Sequence, residues 1–347
     1  MARRPVLPRL ALTAATLVAV TVLVVLAGTI YNTIAQHRRL AEAHVPGAFY
    51  KIHGHTMHIY CTGSGEPAIV LDTGLGDDFT SWQKVQPELS KVTRVCSYDR
   101  SGFGSSEMTG GPHDADTLSA ALHDLVAAAG IRKPFILMGH SIAGIYLRSY
   151  ASHYEGDLAG LVFVDGATPL QDERVPRSVV AIEEHQRRAM PWQKFLMAIG
   201  WYRLRGDCDT VQSGFEAFAT IVRAYNCAPS QFDAIEAEID AEPRSGQETV
   251  HAGPFPRLPI LIFSRDPASR PPNWPEQVGA ANAKVWNIMQ EETRQLSPQS
   301  RRVIARGSEH YVHVDRPELV IDEVRRFVES IRVKRIPYAE AQPTVTR

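Results

Sequence analysis

The sequence predicts an α/β fold: a mostly parallel, doubly wound sheet, interrupted by a helical insert and preceded by one transmembrane helix. Three observations carry this reading. Short, β-branched apolar runs alternate with helix-periodic stretches on both sides of residues 171–256. Within 171–256 the alternation stops and only helix-like stretches remain. Residues 10–31 contain no charge. Strands alternating with helices imply parallel pairing, with helices covering both faces of the sheet.

The N-terminal run LALTAATLVAVTVLVVLAGTIY, as a helix, is roughly 33 Å long and can cross a bilayer core. Arg3, Arg4 and Arg9 precede it, and Arg38 and Arg39 follow. A secretory signal peptide has a shorter apolar region, of about 7–15 residues, and a small-residue cleavage site. The expectation is an uncleaved single-pass signal anchor in the cell membrane. Residues 1–9 then form a cytoplasmic tail and the remainder lies outside the cytoplasm. Secretion after signal-peptide cleavage is the alternative. Residues 32–49 read as a linker.

The globular part begins with KIHGHTMHIYCTG, whose alternation suggests a strand pair at a sheet edge. EPAIVLDTG and SKVTRVCSYDRSG read as strands ending in turns. DTLSAALHDLVAAAG spaces Leu118, Leu122, Leu125 and Val126 as a helix does, with Gly130 as its stop. KPFILMGHS, GLVFVDGAT, LPILIFSRD and RRVIARGSEH are further strands. IAGIYLRSYASHY, the stretch around WPEQVGAANAKVWNIMQEETRQL, and ELVIDEVRRFVESIR are helices. Residues 50–170 and 257–333 thus form one domain. The insert, 171–256, contains SVVAIEEHQRRAM, WQKFLMAIGWY, GFEAFATIVRAY and FDAIEAEIDAE. Residues 334–347 read as a flexible tail.

Composition bounds the function. With 347 residues the chain can bury one large core or two smaller ones. The formal net charge is −1 and no basic stripe is present, which argues against nucleic acid as a partner. No obligate protein partner is implied. The four cysteines, Cys61, Cys96, Cys208 and Cys227, lack C-x-x-C spacing. In an oxidising compartment an even number suggests two disulfides, with four buried thiols as the alternative.

In an open parallel sheet, ligands bind beyond the carboxyl ends of the strands. The residues there are Thr73-Gly74-Leu75-Gly76, Asp99-Arg100, Ser141, Asp165, Asp266 and His310. A serine hydroxyl needs a histidine to take its proton, and that histidine needs an acid to fix its tautomer. Ser141 lies in GHSIAG, close to the G-x-S-x-G elbow but with Ala143 at the fifth position. His310 follows the last strand, where the base belongs. Asp266 follows the strand before it and is the expected acid, with Asp165 as the rival. The backbone N–H groups of Ile142 and Leu75 are the candidate oxyanion donors.

On the segments VLDTGLG, SYDRSGFGSS, GHSIAG, ILIFSRDP and GSEHYVHVDRPELVIDEV, the chain resembles the α/β-hydrolase superfamily, in the serine hydrolase branch with a helical cap. The resemblance covers roughly residues 50–333. It implies Ser141 as nucleophile, Asp266 as acid, His310 as base, Leu75 and Ile142 as oxyanion hole, no cofactor, and a cap at 171–256 that shapes the pocket. It also places the strand ending at Cys61 beside the one holding Cys96, so that these two can pair, while Cys208 and Cys227 close a loop in the insert. The chain departs from the family in Thr73-Gly74, where His-Gly is usual, and in Ala143. The activity implied is hydrolysis of small ester-type substrates through an acyl-enzyme. Thioester, amide or carbon–carbon hydrolysis by the same triad, or a non-catalytic binding module, are the alternatives.

The bland readings also matter. HGHTMH nearly matches an H-x-H-x-D-H metal motif, but Met57 replaces the aspartate and later ligands are lacking, so no metal site is expected. Asp99-Arg100 reads as a buried pair tying its loop together. FDAIEAEIDAE reads as a solvated acidic helix face.

Overall fold

A computed structural model describes residues 6–271, 274–333 and 344–346. The strands are β1 (Ala48–Ile52), β2 (His55–Thr62), β3 (Ile69–Asp72), β4 (Val95–Tyr98), β5 (Phe135–His140), β6 (Leu158–Val164), β7 (Ile260–Arg265), β8 (Ser300–Ala305) and β9 (Thr344–Thr346). The helices are α1 (Val6–Glu42), α2 (Gln86–Leu89), α3 (Ala115–Ala128), α4 (Ala143–Tyr154), α5 (Arg177–Ala198), α6 (Trp201–Leu204), α7 (Ala219–Tyr225), α8 (Pro229–Thr249), α9 (Glu276–Glu292), α10 (Val312–Asp315) and α11 (Pro317–Val333).

The strands form one sheet in the order β1-β2-β4-β3-β5-β6-β7-β8-β9. The edge pair β1/β2 and the pair β2/β4 are antiparallel, and the other pairs are parallel. Strands buried on both faces should be continuously apolar, which is how β3, β5 and β6 read in the sequence. Alternate residues of the same strands serve two cores. Val70, Leu137, Leu161, Phe163 and Ile262 pack with Leu118, Leu122 and Leu125 of α3 and with Ile145 and Leu147 of α4. Leu71, Met138, Val162, Val164 and Phe263 pack on the other face, with Trp82 and with Val320, Val324 and Phe327 of α11. The stop of α3 is as expected: Gly130 adopts φ +61°.

Disulfides join Cys61 to Cys96 and Cys208 to Cys227. Cys61 and Cys96 are register partners on β2 and β4. Cys208 and Cys227 tie the segment after α6 to the segment after α7.

Four expectations need revision. Residues 32–42, expected as linker, continue α1, because Asn32, Gln36 and Arg39 find partners on the insert. SVVAIEEHQRRAM and WQKFLMAIGWY, read as separate stretches, are largely one helix: α5 runs through Pro191 to Ala198, and only its end at Ile199–Gly200 separates α6. Within FDAIEAEIDAE, Glu238 is buried and paired with Arg100 rather than solvated. Of the expected flexible tail, Thr344–Thr346 form β9 beside β8, and residues 334–343 and 347 lie outside the described residues.

Candidate active site

β5 delivers Ser141 to the carboxyl edge of the sheet. The residue adopts φ +55°, left-handed backbone that a non-glycine residue holds only when its surroundings impose it. The imposing contacts are hydrogen bonds from Ser141 N to Val164 O (3.2 Å), and from Gly144 N (2.9 Å) and Ala167 N (2.7 Å) to Ser141 O. The turn also shows how Ala143 is tolerated. A Cβ on Gly139 would fall 2.8 Å from the Ala143 methyl and 2.6 Å from Leu147 Cδ1, so Gly139 leaves the room that Ala143 fills. A Cβ on Gly144 would meet the Ala167 carbonyl oxygen at 2.6 Å. The glycine of GHSIAG therefore stands where α4 passes against the loop after β6.

Ser141 Oγ lies 2.8 Å from His310 Nε2, and His310 Nδ1 lies 2.7 Å from Asp165 Oδ2. The acid that reaches His310 is therefore Asp165, which corrects the expectation of Asp266. The reason is placement. Asp165 directly follows β6, the strand beside β5, and its φ of +46° belongs to a sharp turn there. Its Oδ1 also accepts from Arg265 N (3.1 Å) and Trp286 Nε1 (2.8 Å). Asp266 is turned toward the loop after β8. It accepts from Gly307 N (2.8 Å), Ala268 N (2.9 Å) and Arg306 Nη1 (3.1 Å). Those contacts close a loop and hold its carboxyl below the ordinary range, against the upward push of partial burial.

The electrostatics match a base and its orienting acid. Burial alone would raise the Asp165 carboxyl, but Arg265, His310 and Trp286 outweigh it and hold it at about 2. Arg265 Nε stands 3.5 Å from Asp165 Oδ2, with its guanidinium over the Trp286 ring. Loss of hydration lowers the His310 imidazole below 6.5, opposed by the Asp165 hydrogen bond and reinforced by nearby His140. Proton abstraction needs the neutral ring, so kcat/KM should rise with pH through a midpoint below 6.5 and then level off. A pH–rate profile on a neutral ester checks this; a midpoint at or above 6.5 contradicts it.

Leu75, Ser141 and Ile142 line one cavity of about 690 Å³. Neither the Leu75 nor the Ile142 N–H donates to a backbone carbonyl in the turns and loops around the site, among the described residues. The Leu75 turn is held from behind by Arg100. Its guanidinium donates to Thr73 O (2.6 Å), Gly74 O (2.9 Å), Asp72 Oδ1 (2.8 Å) and both carboxylate oxygens of Glu238 (2.7 and 2.9 Å). So Arg100 ties this turn to α8, while its sequence neighbour Asp99 bonds His58 Nδ1 (2.8 Å) and the N–H groups of Phe79 and Ser105. The expected Asp99–Arg100 pair is replaced by two separate networks. Arg100→Met strands two buried carboxylates, Asp72 and Glu238, and should cost about 3–5 kcal/mol. A denaturant titration against wild type reads this.

α5, α8 and the turn before α5 bring four acids to the same cavity: Asp172 before α5, Glu183 and Glu184 on α5 and Glu242 on α8. Burial, then repulsion from neighbouring carboxylates, pushes Glu183 and Glu242 up to about 7. Val180, Met190, Ile239 and Trp286 supply apolar lining.

The structure unites Ser141, His310, Leu75 and Ile142 and leaves Asp266 out. His313 is buried, with its ring 4.4 Å from the Trp82 indole and 4.6 Å from the His140 ring. In HGHTMH the histidines take separate partners: His53 bonds Asp124, and His58 bonds Asp99 and Pro46 O. Arg265, Trp286 and the acidic wall of the cavity were not read from the sequence. Trp286 lies 121 residues from Asp165 on α9, and no local pattern links them.

Comparison with known proteins agrees with this architecture. The sequence profile of the alpha/beta hydrolase family matches residues 52–323. The probable transporter efuK of Hormonema carpetanum is 27% identical over 289 residues, 78% of this chain but 40% of that protein. An esterase from Thermogutta terrifontis superposes with a TM-score of 0.60 at 21% identity, covering 83% of this chain and 99% of that one. The epoxide hydrolase CorEH gives a TM-score of 0.62 at 19% identity, covering 82% and 99%. Those two likenesses show the fold, and with the profile match over most of its length, the chain belongs to the alpha/beta hydrolase family.

Proposed function

We propose that the protein is a membrane-anchored serine hydrolase that cleaves carboxylic esters through an acyl-enzyme, with its catalytic domain outside the cytoplasm. The observation that carries this is the unbroken chain Ser141 Oγ–His310 Nε2–His310 Nδ1–Asp165 Oδ2. In this reading His310 takes the Ser141 proton as Oγ attacks the ester carbonyl. Asp165 fixes the ring tautomer and stabilises the imidazolium that forms. The Leu75 and Ile142 N–H groups receive the oxyanion. His310 then protonates the leaving alcohol, and water resolves the acyl-enzyme by the same steps. The helices between β6 and β7 act as the cap, and their acids disfavour anionic substrates.

The anchor reading is supported by Ala11–Glu42 of α1, whose apolar window buries nothing against the protein. The two disulfides suit an oxidising compartment.

A fluorophosphonate probe tests the nucleophile. The wild-type protein should gain one adduct, on the peptide holding Ser141. A folded, unlabelled wild type would leave the non-catalytic binding module as the better description.

A further inference from the structure

We propose that the outer face of the α5–α6 region rests on the lipid bilayer, so that ester substrates dissolved in the membrane reach Ser141 from that surface. The inference builds on the membrane-anchor reading above and adds the orientation of the catalytic domain.

The charge-free run of α1 does not end in a free tether. Its last turns are locked to the insert. A Cβ on Gly28 would lie 2.4 Å from Ile199 O, and one on Gly200 would lie 3.3 Å from both Gly28 O and the Tyr31 ring. The Arg203 guanidinium donates to Asn32 Oδ1 (2.9 Å) and Gln36 Oε1 (2.8 Å). Arg39 donates to Cys208 O (3.2 Å) and Asp209 Oδ1 (2.6 Å). The charge-free run covers residues 10–31, so Ile199 and Gly200 are held at the depth where it leaves the hydrocarbon.

Large apolar side chains are exposed on that same segment. Trp192, Phe195, Trp201 and Leu204 are 61%, 40%, 47% and 70% exposed, and the Trp192 and Phe195 rings stack at 5.3 Å. Tryptophan at the end of a spanning helix matches the interfacial belt, where an amphipathic ring sits at headgroup level. The bilayer is the occupant argued for, because the helix that enters it leaves the protein from this face. The clasp of Gly28 on Gly200 also keeps the domain from swinging away.

α5 joins this face to the active site. Val180, Glu183, Arg187 and Met190 of α5 line the Ser141 cavity, and Trp192 follows within the same helix. An acyl chain leaving the bilayer therefore has a short path along α5. The substrate class this favours is an ester with a membrane-partitioning acyl chain and no anionic group near the scissile bond.

The test uses the full chain in phosphatidylcholine vesicles, with or without dibrominated acyl chains. α1 contains no tryptophan, so quenching by bromine reports on the globular part. Quenching is expected in the wild type and largely absent from the W192F/W201F protein. Replacing Trp192, Trp201 and Leu204 with serine should slow turnover of a vesicle-embedded long-chain ester about tenfold, leaving a soluble short-chain ester unchanged. Protein that floats with vesicles but is not quenched overturns the docking and leaves the anchor standing. If that protein also sediments as a dimer, the face belongs to a second copy. Equal loss on both esters overturns the delivery route. Protein that does not float removes the anchor reading and this inference with it.

Discussion

Asparagine at position 165 is expected to lower kcat for a simple ester by about 10⁴-fold, while asparagine at 266 leaves it within a few-fold of wild type. The two variants separate two aspartates that both end strands. Asp165 Oδ2 sits 2.7 Å from His310 Nδ1, and an amide there can present an N–H where His310 needs an acceptor. The ring is then held in the wrong tautomer to accept the Ser141 proton. Among the described residues, the Asp266 carboxylate bonds only its own neighbourhood, Ala268, Arg306 and Gly307. Its loss should appear as a lower melting temperature. Steady-state kinetics on p-nitrophenyl esters decides the matter, and a greater loss in D266N than in D165N would refute the assignment.

Alanine at position 141 removes the proposed nucleophile, and a loss in kcat on the order of 10⁴–10⁶-fold is expected, with the fluorophosphonate adduct abolished. The fold should survive. Ser141 sits at φ +55°, and alanine meets the same backbone cost there, while one side-chain hydrogen bond among the described residues, to His310, is lost. Circular dichroism matching wild type alongside the kinetic loss completes the result. A variant that turns over at the wild-type rate would mean that another group attacks the carbonyl.

Much of this protein is legible in its chain because much of it is local. The alternation of buried strands and helices, the glycine turn before Leu75, the elbow at Ser141 and the histidine after β8 are each written in a few consecutive residues. The strand-end rule then gathers Ser141 and His310 without any knowledge of distances. GHSIAG illustrates the limit. The motif alone leaves Ala143 as a blemish, whereas packing shows Gly139 leaving space for its methyl and Gly144 passing Ala167.

The same limit separates Asp165 from Asp266. Both aspartates follow apolar strands, and nothing local distinguishes them. The choice rests on strand neighbours, on the turn at φ +46°, and on Trp286 and Arg265 arriving from elsewhere. The acidic face of α8 is not legible for a similar reason: helical periodicity says which residues share a face, not that Arg100 waits beneath Glu238.

The sequence by itself determined the layered α/β fold, the insert, the charge-free N-terminal run and the choice of Ser141 and His310 as neighbours at the strand ends, because hydrophobic periodicity and turn chemistry act over a few residues. The tertiary structure alone decided which aspartate bonds His310, how Arg100 ties the Leu75 turn to Glu238 of α8, and that α1 is clasped by the insert. Each of those depends on side chains more than a hundred residues apart or on the direction in which a turn points a carboxylate, and a linear pattern records neither.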